Sequence, residues 1–254
     1  MGIDKRQIAY EQLIALAEKQ GVGQEALMEE AGKKIEEIVY SFIIHHKLKE
    51  KVFILAGKGN NGGDAYVVAR LLLQRGFFVQ VLQVHPLDSS SLVRKQRRKY
   101  EARGGKVFEL AENKWTYPHE GVIVDGIFGT GFHGSLDQAT KKVIDDVNLL
   151  RLPKIAIDIP SGLNGLTGEI FDSAVCCDVT CSIEFPKLGF FFDQGWNSVG
   201  KVELCPIGLS QYKQNPPLMH YLEESDVSRL LPKIVRCRHK YEAGHVVGLA
   251  GSRG

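Results

Sequence analysis

The chain has 254 residues, 44% hydrophobic and 24% charged, enough apolar material for a sizeable core and too much for intrinsic disorder or a fibrous repeat. Thirty-two Lys and Arg against thirty Asp and Glu leave a formal net charge of +2, too balanced to imply a polyanionic partner. No apolar run reaches the ~18 residues of a membrane span, and the opening MGIDKRQIAYEQLIALAEK is charged where a signal peptide is apolar, so a cytoplasmic protein is expected; five cysteines without paired metal spacing fit reduced thiols.

Leu27, Ala31, Ile35, Ile38 and Phe42 recur every three or four residues and predict an amphipathic helix over 24–46. KVFILA at 51–56 is a short continuous apolar run, followed by glycines and then by 65–73, apolar and too long for a strand. This reads as strand, loop, helix. Further strands are expected at 77–84, 122–124, 154–157, 178–185 and 201–204, with helical spacing over 137–150. Residues 94–106 carry seven basic side chains and one acid, Glu101; without an aromatic platform they read as a solvated helix face rather than a nucleic-acid patch. Near-continuous apolar strands alternating with helices indicate the α/β class: a Rossmann-like, doubly wound, mostly parallel sheet with helices on both faces. Gln214, Asn215, Pro216 and Pro217 are linker-like, and 243–254 opens like another α/β unit.

Ligands of doubly wound sheets sit beyond the carboxyl ends of the strands, so three loops carry the functional reading. In the first, Gly57, Gly59 and Gly62 meet the GxGxxG pattern between a strand and a helix, where backbone amides suit a phosphate. A dinucleotide fold also wants an acid at the end of the second strand, which here ends in His85, and no GK[ST] closes the loop as a Walker motif would. Asn60, Asn61 and Asp64 add oxygens that plain phosphate binding does not need; the competing reading is a tight turn with no ligand. In the second loop, VDGIFGTGFHGS, Asp125 ends an apolar strand and needs a partner or a cation to offset desolvation; a turn or cap residue is the alternative. The third, AIDIPSG, brings Asp158 between two isoleucines, placed for general acid or base work, and the Ser161 hydroxyl; a turn-forming Asp is again the alternative. Cys176, Cys177 and Cys181 are expected to pack as small apolar residues.

Together these loops resemble one family, the NAD(P)H-hydrate epimerases or YjeF N-terminal domains. The likeness runs from ALMEEAG (26–32) through GNNGGDAYVVARLL, VDGIFGTGF, AIDIPSGLNGLTGE and FPKLG to Gly200, Lys201 and Val202, across most of the first 210 residues. It implies an epimerase domain over 1–214 acting on NADH or NADPH hydrated at nicotinamide carbon six (NADHX, NADPHX) and interconverting the R and S forms. Asn60, Asn61, Gly62, Gly63 and Asp64 would hold the substrate with Gly129, Thr130, Gly131, Phe132, His133, Gly134 and Ser135. Asp158 would contact the hydrated ring as the catalytic acid/base, and Asn61, Asp125 and Ser161 would bind a potassium ion. A homodimer is implied, with neither membrane nor nucleic acid as partner. The tail from His239, with HKYEAGH and VVGLAGS, resembles the opening of a ribokinase-like dehydratase domain, so 215–254 reads as a linker and an incomplete start, without dehydratase activity. A non-catalytic YjeF-like scaffold that dimerises and binds RNA is the rival class; Asp158, Asn61 and Asp125 together argue against it.

Overall fold

A computed structural model describes residues 14–15, 17–85, 90–112, 115–209, 224–231 and 237. Seven short runs, most of them rich in Val and Ile, form one sheet: β1 (Lys51–Ala56), β2 (Phe78–Gln83), β3 (Lys106–Glu109), β4 (Val122–Gly126), β5 (Lys154–Ile157), β6 (Val179–Ile183) and β7 (Lys201–Cys205). Their order is β3-β2-β1-β4-β5-β6-β7 and every pairing is parallel. A parallel sheet has no solvated face, which explains why β4, β5 and β6 are buried along their whole length instead of alternating. Helices α1 (Gln24–His45), α2 (Asn60–Gln74) and α3 (Ser91–Glu101) cover one face. There Ile35, Ile43, Leu72 and Tyr100 pack in one cluster with Ile54, Val124 and Ile157. Helix α4 (Gln138–Leu149) covers the other face, where Val143, Ile144 and Val147 meet Leu55, Ile123 and Ala156. The chain is therefore a doubly wound α/β protein.

Four local expectations change. The helix after β1 starts at Asn60, inside the predicted loop, because Gly62 lets its first turn lie against the end of β1: a Cβ on Gly62 would sit 2.0 Å from the Gly57 carbonyl oxygen. Strand β3 forms within and beyond the end of the basic run, paired to β2 at the sheet edge. The basic residues of α3 are not simply solvated: Lys95 and Lys99 pair with Glu25, Lys99 also with Glu29, and Arg97 with Glu101 and Glu109. Cys177 and Cys181 pack as expected, whereas Cys176 is exposed.

The contacts divide the chain into two units, Met1–Lys213 and Gln214–Gly254. In the second, a short α5 (Glu224–Leu230) is described; the predicted linker at 214–217 and the tail from His239 lie outside the described residues. Among the described residues, no helix is long and apolar enough to cross a membrane.

Candidate active site

The sheet order reverses between β1 and β4, since β2 and β3 extend to one side and β5 to β7 to the other. The crevice beyond the carboxyl ends of those two strands is where such sheets take ligands, and the first two predicted loops meet there.

Asp125, in β4, is fully buried. Its Oδ1 accepts from the Ser161 Oγ–H at 2.6 Å and the Ile127 amide at 3.2 Å, and its Oδ2 from the Ser161 amide at 2.7 Å. Burial pushes its pKa up to about 6, against these hydrogen bonds, which lower it. Ser161 Oγ accepts in turn from the Phe128 amide at 2.9 Å. Asn61, in the first turn of α2, donates its Nδ2 to the carbonyls of Phe128 at 2.7 Å and Ile157 at 3.0 Å. One helix, the end of one strand and the loop after another are thus tied by Asn61, Asp125 and Ser161, the three residues predicted as ion ligands.

Asp158 follows β5 with φ at 66° and 5% exposure. The Ile159 amide donates to the Ile157 carbonyl at 2.8 Å around it, a three-residue turn in a conformation costly for any residue but glycine and typical of functional sites. Asp158 Oδ1 accepts from the Ile183 amide at 3.1 Å and from Lys187 Nζ–H. Lys187 also donates to the Ile183 carbonyl at 2.9 Å. The sequence left this lysine unplaced; its one signal was a cation in the otherwise apolar FPKLG after a strand. Glu184, which the sequence reading missed, repeats the design after β6, with φ at 58° and its Oε2 accepting from the Ile207 amide at 2.7 Å.

The predicted substrate segments separate into two places. Asn60 and Asp64 line a cleft of about 340 Å3 walled by Leu27, Met28, Ile183 and Ile207. Gly129, Thr130, Gly131, Phe132, His133, Gly134 and Ser135 form a half-buried to exposed loop that does not line that cleft. In it Phe132 stacks on Phe128 at 4.5 Å between ring centroids, and Phe128 faces the His85 ring at 5.9 Å. Gly62 and Gly63 sit inside α2 as packing residues, Gly63 against Met28 and Gly62 against Gly57.

Residues 24–189 match the family profile described as YjeF-related protein N-terminus. The chain is 38% identical over 197 residues to a protein of Lentilactobacillus buchneri named NAD(P)H-hydrate epimerase, covering 75% of this chain and 87% of that one. It is 32% identical over 239 residues to the bifunctional NAD(P)H-hydrate repair enzyme Nnr of Moorella thermoacetica, covering 90% of this chain and 45% of that one. The chain therefore spans less than half the length of the bifunctional relative. The crystal structure of the yeast protein YNL200c matches with a TM-score of 0.65 at 22% identity, over 80% of this chain and 87% of that one, a likeness of fold.

Proposed function

We propose, from the premise that this chain belongs to the YjeF-related N-terminal family, that it interconverts the R and S forms of hydrated NADH and NADPH. The observation that carries this reading is the Asp158 carboxylate, buried at a strand end beside the switch-point crevice and paired with Lys187. The hydrate is a hemiaminal, so the ring nitrogen lone pair can expel the carbon-six hydroxyl as water, and water can return on either face. Each step moves a proton on or off oxygen, work for which a positioned carboxyl supplies roughly 10²- to 10⁴-fold. Lys187, with the Ile183 amide, holds that carboxyl in place to take a proton from incoming water.

A potassium ion belongs to the same proposal. The residues fit one: a fully buried carboxylate, the Ser161 hydroxyl and the Asn61 amide oxygen are hard donors. Among the described residues no three His, Cys, Asp or Glu side chains gather as a multivalent site would need, and one carboxylate among neutral oxygens suits a single positive charge. When bound, the ion would offset the Asp125 charge and hold the three loops together. The homodimer is proposed with it, and analytical ultracentrifugation checks it.

Proton NMR tests the main reading: one epimer is depleted with a stereospecific dehydratase, and the remainder is followed as it re-equilibrates. The purified protein should accelerate equilibration, and Asp158→Asn should slow it by about 10² with the fold retained. A folded Asp158→Asn that works at the wild-type rate removes Asp158 from the mechanism.

A further inference from the structure

We propose that Asp64 is a second catalytic carboxyl of this site, the donor of the proton that lets the carbon-six hydroxyl leave, while Asp158 accepts the proton of the water that returns. The inference rests on the epimerase reading above and assigns a role within it.

Asp64 lies one turn into α2, a helix of 15 residues. Its side chain lines the cleft of about 340 Å3, is 6% exposed, and makes no hydrogen bond or ion pair with any described residue. Buried carboxyls are ordinarily satisfied; one on a cavity wall that no described residue bonds is placed to bond a ligand. The cleft is at the small end of the ~300–1,000 Å3 of small-molecule sites, room for one ring rather than a dinucleotide. Its apolar wall of Leu27, Met28, Ile183 and Ile207 suits the face of a reduced pyridine ring. Ile183 connects the two acids: its side chain borders the cleft and its amide donates to Asp158 Oδ1.

The two carboxyls have opposite surroundings. Asp158 has an ammonium against it. Asp64 has none among the described residues: burial raises its pKa well above the usual carboxylate range, and the nearby Asp158 carboxylate pushes the same way; Glu18 lines the same cleft. Two carboxyls so differently surrounded, one bonded by an ammonium and an amide and the other by no described residue, suit a donor and acceptor pair. The step balances. The Asp64 O–H proton moves to the hydroxyl oxygen, the C6–O bond breaks with water leaving, and the ring nitrogen lone pair forms C=N. Water then adds to C6, its oxygen forms the new bond, and its proton passes to the Asp158 carboxylate. Asp64 ends ionised and Asp158 protonated, so the reverse turnover, or exchange with solvent, restores both.

The test uses the full chain and the epimer mixture. Asp64→Asn keeps the shape of the side chain but cannot act as an acid; its kcat should fall about 10² or more with KM little changed. Asp64→Glu, which returns an acid to the cleft, should recover roughly 10-fold of that loss. Equal losses in both variants, a loss confined to KM, or an Asp64→Asn enzyme at the wild-type rate would each overturn the assignment. If Asp64→Asn fails to fold by circular dichroism, Asp64→Ser against Asp64→Glu makes the same comparison. A wild type that leaves the epimers untouched refutes the epimerase reading and this inference together; a working wild type confines the question to Asp64.

Discussion

Asp158 and Lys187 are 7% and 11% exposed at their side chains, so their pairing is a buried one and each protects the other from an uncompensated charge. Lys187→Met should therefore destabilise the protein by about 3–5 kcal/mol in urea unfolding and slow epimerisation with it; an unchanged midpoint would mean that water already screens the pair. Asp125 offers a pH experiment. Its folded pKa, about 6 against an ordinary 3.8, is raised, so the stability it lends is fully present below about pH 4 and is lost as pH rises through about 6, some 3 kcal/mol in all. The potassium ion proposed at Asp125 would offset that loss. Thermal melts should rise with potassium at about pH 7.5 and not at about pH 4.5, and Asp125→Asn should be indifferent to potassium at both. A melt of Asp125→Asn that still climbs with potassium would move the ion elsewhere. The acids themselves were legible in the sequence, because a charge at the end of an apolar strand is costly without a purpose. The Lys187 partner and the bareness of Asp64 were not, since both depend on which strands lie side by side.

Among the elements, α1, β1, β5 and α4 fall within a residue or two of their expected bounds because each rests on a local pattern, a helical period or a short apolar run. Helix α2 began earlier than expected because Asn and Gly are poor helix formers, and what makes them helical is contact with β1 and the loop after β4. Strand β3 escaped notice as a four-residue edge strand, half-buried, with no alternation. The glycine motif can be dissected on the same ground. Gly62→Ala would drive its Cβ to 2.0 Å from the Gly57 oxygen, an overpacking against backbone that costs several kcal/mol (about 1–3 or more). Gly59 has open space around its Cβ position and a negative φ, so Gly59→Ala should melt like the wild type, and any loss of activity in it would report a ligand approaching that backbone. Equal melting temperatures for the two variants would contradict this packing.

For the molecule as a whole, the class was readable from strands alternating with helices, but the order β3-β2-β1-β4-β5-β6-β7 was not, because sequence gives the succession of strands and only the right-handed crossover rule limits their neighbours. Every site residue named above lies in the unit Met1–Lys213. Ending the chain at Lys213 should accordingly leave the epimerisation rate and the melting temperature near their starting values; a large drop in the melt would show that the second unit contributes to the first unit's core. The close fit around Gly57 and Gly62 has a genealogical consequence. Those glycines are demanded by the scaffold whether or not a reaction takes place, whereas Asp64, which no described residue bonds, is not. A descendant that abandoned the chemistry would go on carrying the glycines, so kinship traced through them records shared ancestry, and under the role proposed for it Asp64 would be the letter that tells a working enzyme from a retired one.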